Sequence, residues 1–442
     1  MKSRAEHLTA LAESIVKMGI KKGADQMEVS VGEGSEFSAE VREGQVEKLL
    51  DAGSKGLSLK VIVDHKVATA RSSDLSKDTL EKLVENAVVR ARMASADSFA
   101  GLPETPERYA DPETLGIFDP KIMELSAEAK IAAARETERI CLADTRIKKS
   151  YGSNFSTANV RAYLANSSGF SGSYRKSSYS CGVYLQAGEG DNLIDEGWFD
   201  SSVSLERLMK PEEIAKKAVH RVTRLIGAKK IPTQNVPVVF ESPVTDELLG
   251  FLYTCVNGTS VYQKQSFFAD QLDQAVGNAN VTVVDDGLLR GAPGTKPFDR
   301  EGVPSRKTTV IENGILKSFL LDTYASRKLN LRSTGNASGA GNLYLAAGTQ
   351  TPEEIIRSVD KGLFLTGTIG FGFMATTGDI SRGAFGIWIE NGELAYPVAE
   401  ITISGNLGQL LKSVEKVGSD LDFRRSITGP TILVAEMTVG GK

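Results

Sequence analysis

Few residues in this 442-residue chain could carry chemistry. Histidine occurs three times, as His7, His65 and His220. A helical zinc peptidase sets two histidines on one helix face with a glutamate beside them, so that the ion is held and water is activated. None of these histidines has a second histidine and an acid at such a spacing. His7 opens an amphipathic stretch, and His65 sits in a polar turn between Asp64 and Lys66. The cysteines, Cys141, Cys181 and Cys255, are odd in number and far apart, which fits neither a disulfide framework nor a zinc ribbon. Cys255 lies on an apolar helical pattern and reads as a small core residue; a nucleophile would need a basic partner from elsewhere in the chain. Asp285-Asp286 could be a carboxylate pair with split pKa values, but a strand end followed by Gly287 favours turn capping. Gly370-Phe371-Gly372 lacks the third glycine and the helix of a dinucleotide loop. In Ser381-Arg382-Gly383 the guanidinium could grip a peptide carboxylate or pair with a nearby acid.

The elements that must position these residues follow from periodicity. Leu8, Leu11, Ile15 and Met18 share a helical face, and Gly23 ends that helix. Strands are expected at 27–31, 37–41 and 57–63, with a turn at Glu43-Gly44. Ser76 is placed to cap a helix through Ala91. Residues 97–120, with Pro103, Pro106, Pro112 and Pro120, read as a linker or long surface loop. A helix over 126–144 precedes strand patterns up to Gly190, and Pro211 opens a helix that Gly227 ends. Val236 to Phe240 forms an apolar strand; a helix follows with Thr245 as its expected cap. Residues 333–348, rich in Gly, Ser and Asn, read as a mobile loop. Asn313-Gly314 and Asn391-Gly392 suit tight type I′ hairpins. Pro397 marks a strand end or an edge, and a helical pattern runs from Leu407 to Val414.

The length exceeds one ordinary core, so two or more domains are expected. Apolar content of 41% and charged content of 24% describe a globular chain. A net charge of −4 without a long basic block argues against a general nucleic-acid binder. No apolar run reaches membrane-span length, and the first 20 residues lack a signal-peptide core, so a cytoplasmic location is expected. The reading is an α+β protein of two domains: residues 1–230 with an N-terminal α/β layer, and residues 231–442 rich in antiparallel sheet.

The stretch Ile380 to Leu407 carries Ser-Arg-Gly-Ala, Trp-Ile-Glu-Asn-Gly-Glu, Tyr-Pro-Val-Ala-Glu-Ile-Thr-Ile and Gly-Asn-Leu in order, followed by Val417-Gly418-Ser419-Asp420-Leu421. It resembles the C-terminal signature of the TldD/PmbA family, also called modulators of DNA gyrase, and the resemblance extends loosely over nearly the whole chain. TldD-type members carry His-Glu-x-x-x-His on a helix, ahead of segments similar to Ser266-Phe267-Phe268 and Asp285-Asp286-Gly287. Here Gly250, Phe251 and Cys255 stand at those motif positions. The cysteine ligand that TldD-type chains place near the C-terminus is also missing from Ala435 to Gly441. The resemblance therefore implies the PmbA/TldE branch: a metal-free subunit, with zinc in a TldD-like partner, acting in a pair that degrades or trims peptides. A dimer follows, homo- or heteromeric. Two other readings stand beside it: a self-contained hydrolase using Cys255 or Asp285-Asp286, and a protein-binding modulator, for example of DNA gyrase.

Overall fold

The computed structural model describes residues 4–104, 106–190 and 192–441. The fold is α+β. Its first half is built on one antiparallel six-stranded sheet: β1 (Gln26–Arg42), β2 (Gln45–Val63), β3 (Lys66–Ser72), β4 (Ile147–Asn166), β5 (Ser171–Glu189) and β6 (Asn192–Ser202), in the order β3-β2-β1-β4-β5-β6. β4 alone runs 20 residues, roughly 65 Å at about 3.3 Å per residue.

The two strands expected at 27–31 and 37–41 are one. Met27, Val29 and Val31 are buried at one end of β1, and Phe37, Ala39 and Val41 at the other. Between them the small and acidic residues 32–36 bury little, yet their ladder with β2 and β4 is unbroken. Each buried end has its own helices. α1 (Arg4–Lys21) and α2 (Lys77–Met93) cover the first; α3 (Ala127–Leu142) and α4 (Pro211–Thr223) cover the second. Ser126 caps α3 by accepting from Ala129 N, whereas the hydroxyl of Ser76 turns to Asp74 and Thr79 instead of capping α2.

The described residues of 97–120 lie against both halves. Leu102, Leu115 and Ile117 are buried. Tyr324 Oη donates to Asp97 (2.6 Å), and Arg327 donates to the carbonyls of Phe99 and Leu102. The six-stranded sheet is complete by Ser202 and the other sheets begin at Gln234.

The second half opens with β7 (Gln234–Phe240) and α5 (Ser242–Val256). A small sheet joins β8 (Val283–Asp286), β9 (Lys307–Glu312), β10 (Ile315–Leu316), β11 (Leu343–Leu345) and β17 (Ile427–Thr428). A larger one holds β7, β12 (Lys361–Ile369), β13 (Phe373–Met374), β14 (Asp379–Glu390), β15 (Glu393–Asn406), β16 (Val414–Val417) and β18 (Ile432–Gly440). Because β12 pairs with both β7 and β14, the ladder β12-β7-β18-β15-β14 returns on itself. Most pairings are antiparallel, but β7–β12 and β11–β17 are parallel. Short helices α6 (Gly258–Tyr262), α7 (Thr323–Leu329), α8 (Pro352–Arg357) and α9 (Leu407–Lys412) complete the fold.

Both Asn-Gly turns form as expected: φ is 52° and 75° at Asn391 and Gly392, and 47° and 80° at Asn313 and Gly314. Two expectations change. α9 stops at Lys412, because Val414 joins β16 and pairs with Val434. Residues 333–348 form a packed loop: a Cβ on Gly341 would come within 2.7 Å of Gly287 Cα, so the small residues permit close backbone approach. The polar side chains there are spent inward. Asn342 is buried, donates to Asp286 O (2.7 Å) and accepts from Gly294 N (2.7 Å).

Candidate functional site

α5 begins four residues earlier than a Thr245 cap would set it. Glu241 is its N-cap, Pro243 occupies the first turn, and Thr245 is buried in the helix. Leu248, Leu249, Leu252, Cys255 and Val256 form the stripe packed into the core. Glu247 lies off this stripe and is the centre of a polar knot. Its Oε2 accepts from Arg382 Nη1 (2.8 Å) and Thr368 Oγ1 (2.5 Å), and Arg382 Nη2 donates to Gly370 O (2.6 Å). The Nε of Arg382 is buried and has no acceptor among the described residues. The guanidinium carbon also lies 5.6 Å from the centroid of Phe251, whose ring stacks on Phe373 at 4.4 Å and 12°.

The glycine loop and the Ser-Arg-Gly segment, unrelated in sequence, thus come together. Ser381 N donates to Gly372 O (2.8 Å), and Ile369 pairs with Gly383. A Cβ on Gly372 would lie 1.8 Å from Ser381 O, so only glycine fits. Of the two uses foreseen for Arg382, the local acid is the one occupied, and that acid is Glu247. Sequence reasoning passed over Glu247, although it stands one helical turn ahead of Gly250 and Phe251.

Of the three degenerate motif positions, two are taken up by packing and one faces open space. A Cβ on Gly250 would meet open space, with no heavy atom within 4 Å. Phe251 is in the aromatic stack. Cys255 is buried, with its Sγ 3.9 Å from Ala375 O, and burial pushes its thiol up to about 12. A zinc ion needs several anionic or imidazole donors converging on one point. Glycine and phenylalanine supply none, a thiol this hard to ionise supplies none readily, and no metal-holding group of His, Cys, Asp or Glu occurs among the described residues. These residues do not fit the metal.

Asp285 and Asp286 point to different partners. Asp285 is buried and accepts from Asn336 Nδ2 (2.7 Å); burial raises its carboxyl above the usual range. Asp286 accepts from Leu288 N (2.9 Å), the turn-capping bond.

Beside α5 is a cleft of 760 Å³ between β6, the edge strand of the large N-terminal sheet, and the strands β12, β14 and β15. Half-exposed Tyr184, Leu193, Phe199 and Ile369 give it apolar walls. Behind it Arg221 and Arg224 converge on Glu241 at 2.8 and 2.7 Å. Burial works against the charge of Glu241, and the two guanidinium groups more than offset this, holding its carboxyl below the usual range. A second cavity of 300 Å³ adjoins the cleft along Trp198, Phe199 and Pro243 and is bordered by Asp246, whose carboxyl burial pushes up to about 6. At the rim, Phe371 is fully exposed, with Ile369 and Met374 also well exposed beside it.

Three models of one family match the chain in sequence: PmbA/TldA metallopeptidase domain 1 over residues 27–91, the central domain over 120–226 and the C-terminal domain over 233–441. The metalloprotease PmbA of Escherichia coli O157:H7 is 32% identical over 95% of this chain and 93% of its own. A PmbA homologue from Haemophilus influenzae is 30% identical over 100% and 98%. Among solved structures, a Bacteroides thetaiotaomicron protein described as a modulator of DNA gyrase superposes with a TM-score of 0.93 at 28% identity, covering 100% of both chains. TldE from Thermococcus kodakarensis shares the fold, with a TM-score of 0.86 at 20% identity over 98% of this chain and 100% of its own.

Proposed function

The chain belongs to the PmbA/TldD metallopeptidase family, and we propose that it serves there as a zinc-free, PmbA/TldE-type subunit of a cytoplasmic peptidase pair. Its task is to hold extended peptide and support a TldD-like partner that carries the metal. The observation that carries this reading is the contrast along α5. The motif positions Gly250, Phe251 and Cys255 are given over to space, stacking and core packing, while the cleft alongside stays open. A cleft bordered by an edge strand suits a peptide main chain, which can add to the strand irrespective of its side chains. Gly383 belongs to the wall of that cleft, and Ser381-Arg382-Gly383 together are the peptide-contacting candidates, with Arg382 also bracing the segment through Glu247. The exposed tip at Phe371 supports a protein partner.

The test is reconstitution. The untagged chain, a TldD-like protein and their mixture are assayed on an unstructured peptide, with zinc measured on the same samples. The expected result is near-zero zinc and no hydrolysis for this chain alone, and chelator-sensitive hydrolysis by the mixture. Hydrolysis by this chain alone that survives chelation would overturn the reading.

A further inference from the structure

This inference rests on the peptide-holding reading and concerns what the cleft selects. Nearly every charge lining the 760 Å³ cleft is already spent within the protein. Asp195 accepts from Tyr151 Oη (3.1 Å) and Gln186 Nε2 (2.9 Å). Glu196 accepts from Gly197 N (3.2 Å) and Arg221 Nη2 (3.4 Å). Glu247 holds Arg382 and Thr368, and Glu400 pairs with Lys230 at 2.5 Å. Arg221 donates to Glu241, Glu196 and Thr366 O.

Arg425 is different. It pairs loosely with Asp246, whose Oδ2 lies 3.6 Å from Nη1, an ion pair too long for a hydrogen bond, and its guanidinium donates no hydrogen bond among the described residues. Its side chain is 52% exposed, and it borders both the cleft and the 300 Å³ cavity. That cavity also carries Lys217, whose ammonium lies 3.7 Å from the centroid of the Trp198 ring, while its other cations, Arg221 and Arg424, are paired with Glu241 and with Asp200 and Asp422, and Asp420 accepts from Thr431. Asp246 is itself anchored by Gly429 N (2.8 Å) and sits at the Nη1 end of Arg425.

We propose that Arg425 recognises a carboxylate carried by the peptide in the cleft. A guanidinium presents parallel N–H groups that match the two oxygens of a carboxylate, and Trp198, Phe199 and Pro243 offer apolar surface beside it for the rest of the peptide. The carboxylate has two sources. An α-carboxylate would end the peptide at the junction of the two cavities. An Asp or Glu side chain would leave the main chain free to run on.

The experiment measures binding of fluorescent unstructured peptides to the full chain by anisotropy. One pair differs only in a free against an amidated C-terminus, and a second, amidated pair differs only in one internal Glu against Gln. The expected result is about ten- to a hundredfold tighter binding of the acid member in one of the pairs, and that pair names the source. Arg425→Gln should erase the difference while leaving the neutral peptide's affinity unchanged, and Arg425→Lys should restore it in part. Equal binding of acid and neutral members to the unsubstituted chain overturns the proposal but leaves the peptide-holding reading standing. Failure of every peptide to bind overturns both. Unchanged melting of the two variants establishes that recognition, and not folding, has been altered.

Discussion

Phe251 of α5 and Phe373 of β13 lie face to face, 4.4 Å between ring centroids and 12° between planes. Phe251 is thus part of an apolar clasp between a helix and a loop. Phe251→Ala should cost about 2 kcal/mol, combining lost burial with the lost ring pair, measured by urea unfolding. Gly250→His with Phe251→Glu should fold, since the space beside Gly250 is open, yet lose a similar amount of stability and still bind no zinc.

Arg382 is expected to act as a brace. Arg382→Ala removes the donors that reach Glu247 and Gly370 O. Stability should fall by about 1–2 kcal/mol, and amide hydrogen exchange should quicken over residues 369–374. Exchange unchanged in that loop would show that the knot does not hold it.

All three cysteines should be silent in the native chain. Cys141, Cys181 and Cys255 are buried, and burial pushes their thiols up to about 12, 11 and 12. A thiol reagent at neutral pH should titrate none of them before unfolding and all three after it. Fast labelling of Cys255 would revive the nucleophile reading.

Glu28 should make stability fall with rising pH. Burial, set against the pull of Lys60 and reinforced by Glu301 and Asp299, pushes its carboxyl up to about 7 from a usual 4.5. Its Oε2 is buried without a partner among the described residues. A raised carboxyl favours the protonated form in the fold, so its contribution is intact below about pH 4.5 and is lost as pH climbs through 7. Asp299, pushed up to about 6, has the same sign. Glu28→Gln should therefore melt higher than the unsubstituted chain at pH 8, by an amount on the order of 2 kcal/mol, and the difference should shrink towards pH 5. Parallel melting curves across that range would refute the assignment.

Local signals in the sequence carried most of the elements. Asn391-Gly392 and Pro211 do what their chemistry foretells, because turn and first-turn preferences act over four residues or fewer, whereas the cap read at Ser76 is lost to Asp74 and Thr79. The knot was not legible for the opposite reason. Arg382 meets Glu247 across 135 residues, and Gly372 gives no sign that Ser381 O will press against it. The same distance hid Arg425, which is conspicuous only once its neighbours are seen to be spent. Residues 333–348 misled because small polar residues serve a tight interior contact as readily as an open loop.

The long sheet also sets a timetable for the nascent chain. β1 pairs with β2 at once through the turn at Glu43-Gly44, but its other side waits for β4, where Glu28 meets Asn166. At about 5–20 residues per second the ribosome needs roughly 6–25 seconds to deliver that partner. Throughout that interval a 17-residue edge stays open to any passing strand. Its middle, residues 32–36, holds two glutamates and two glycines, a composition that disfavours pairing with a foreign strand.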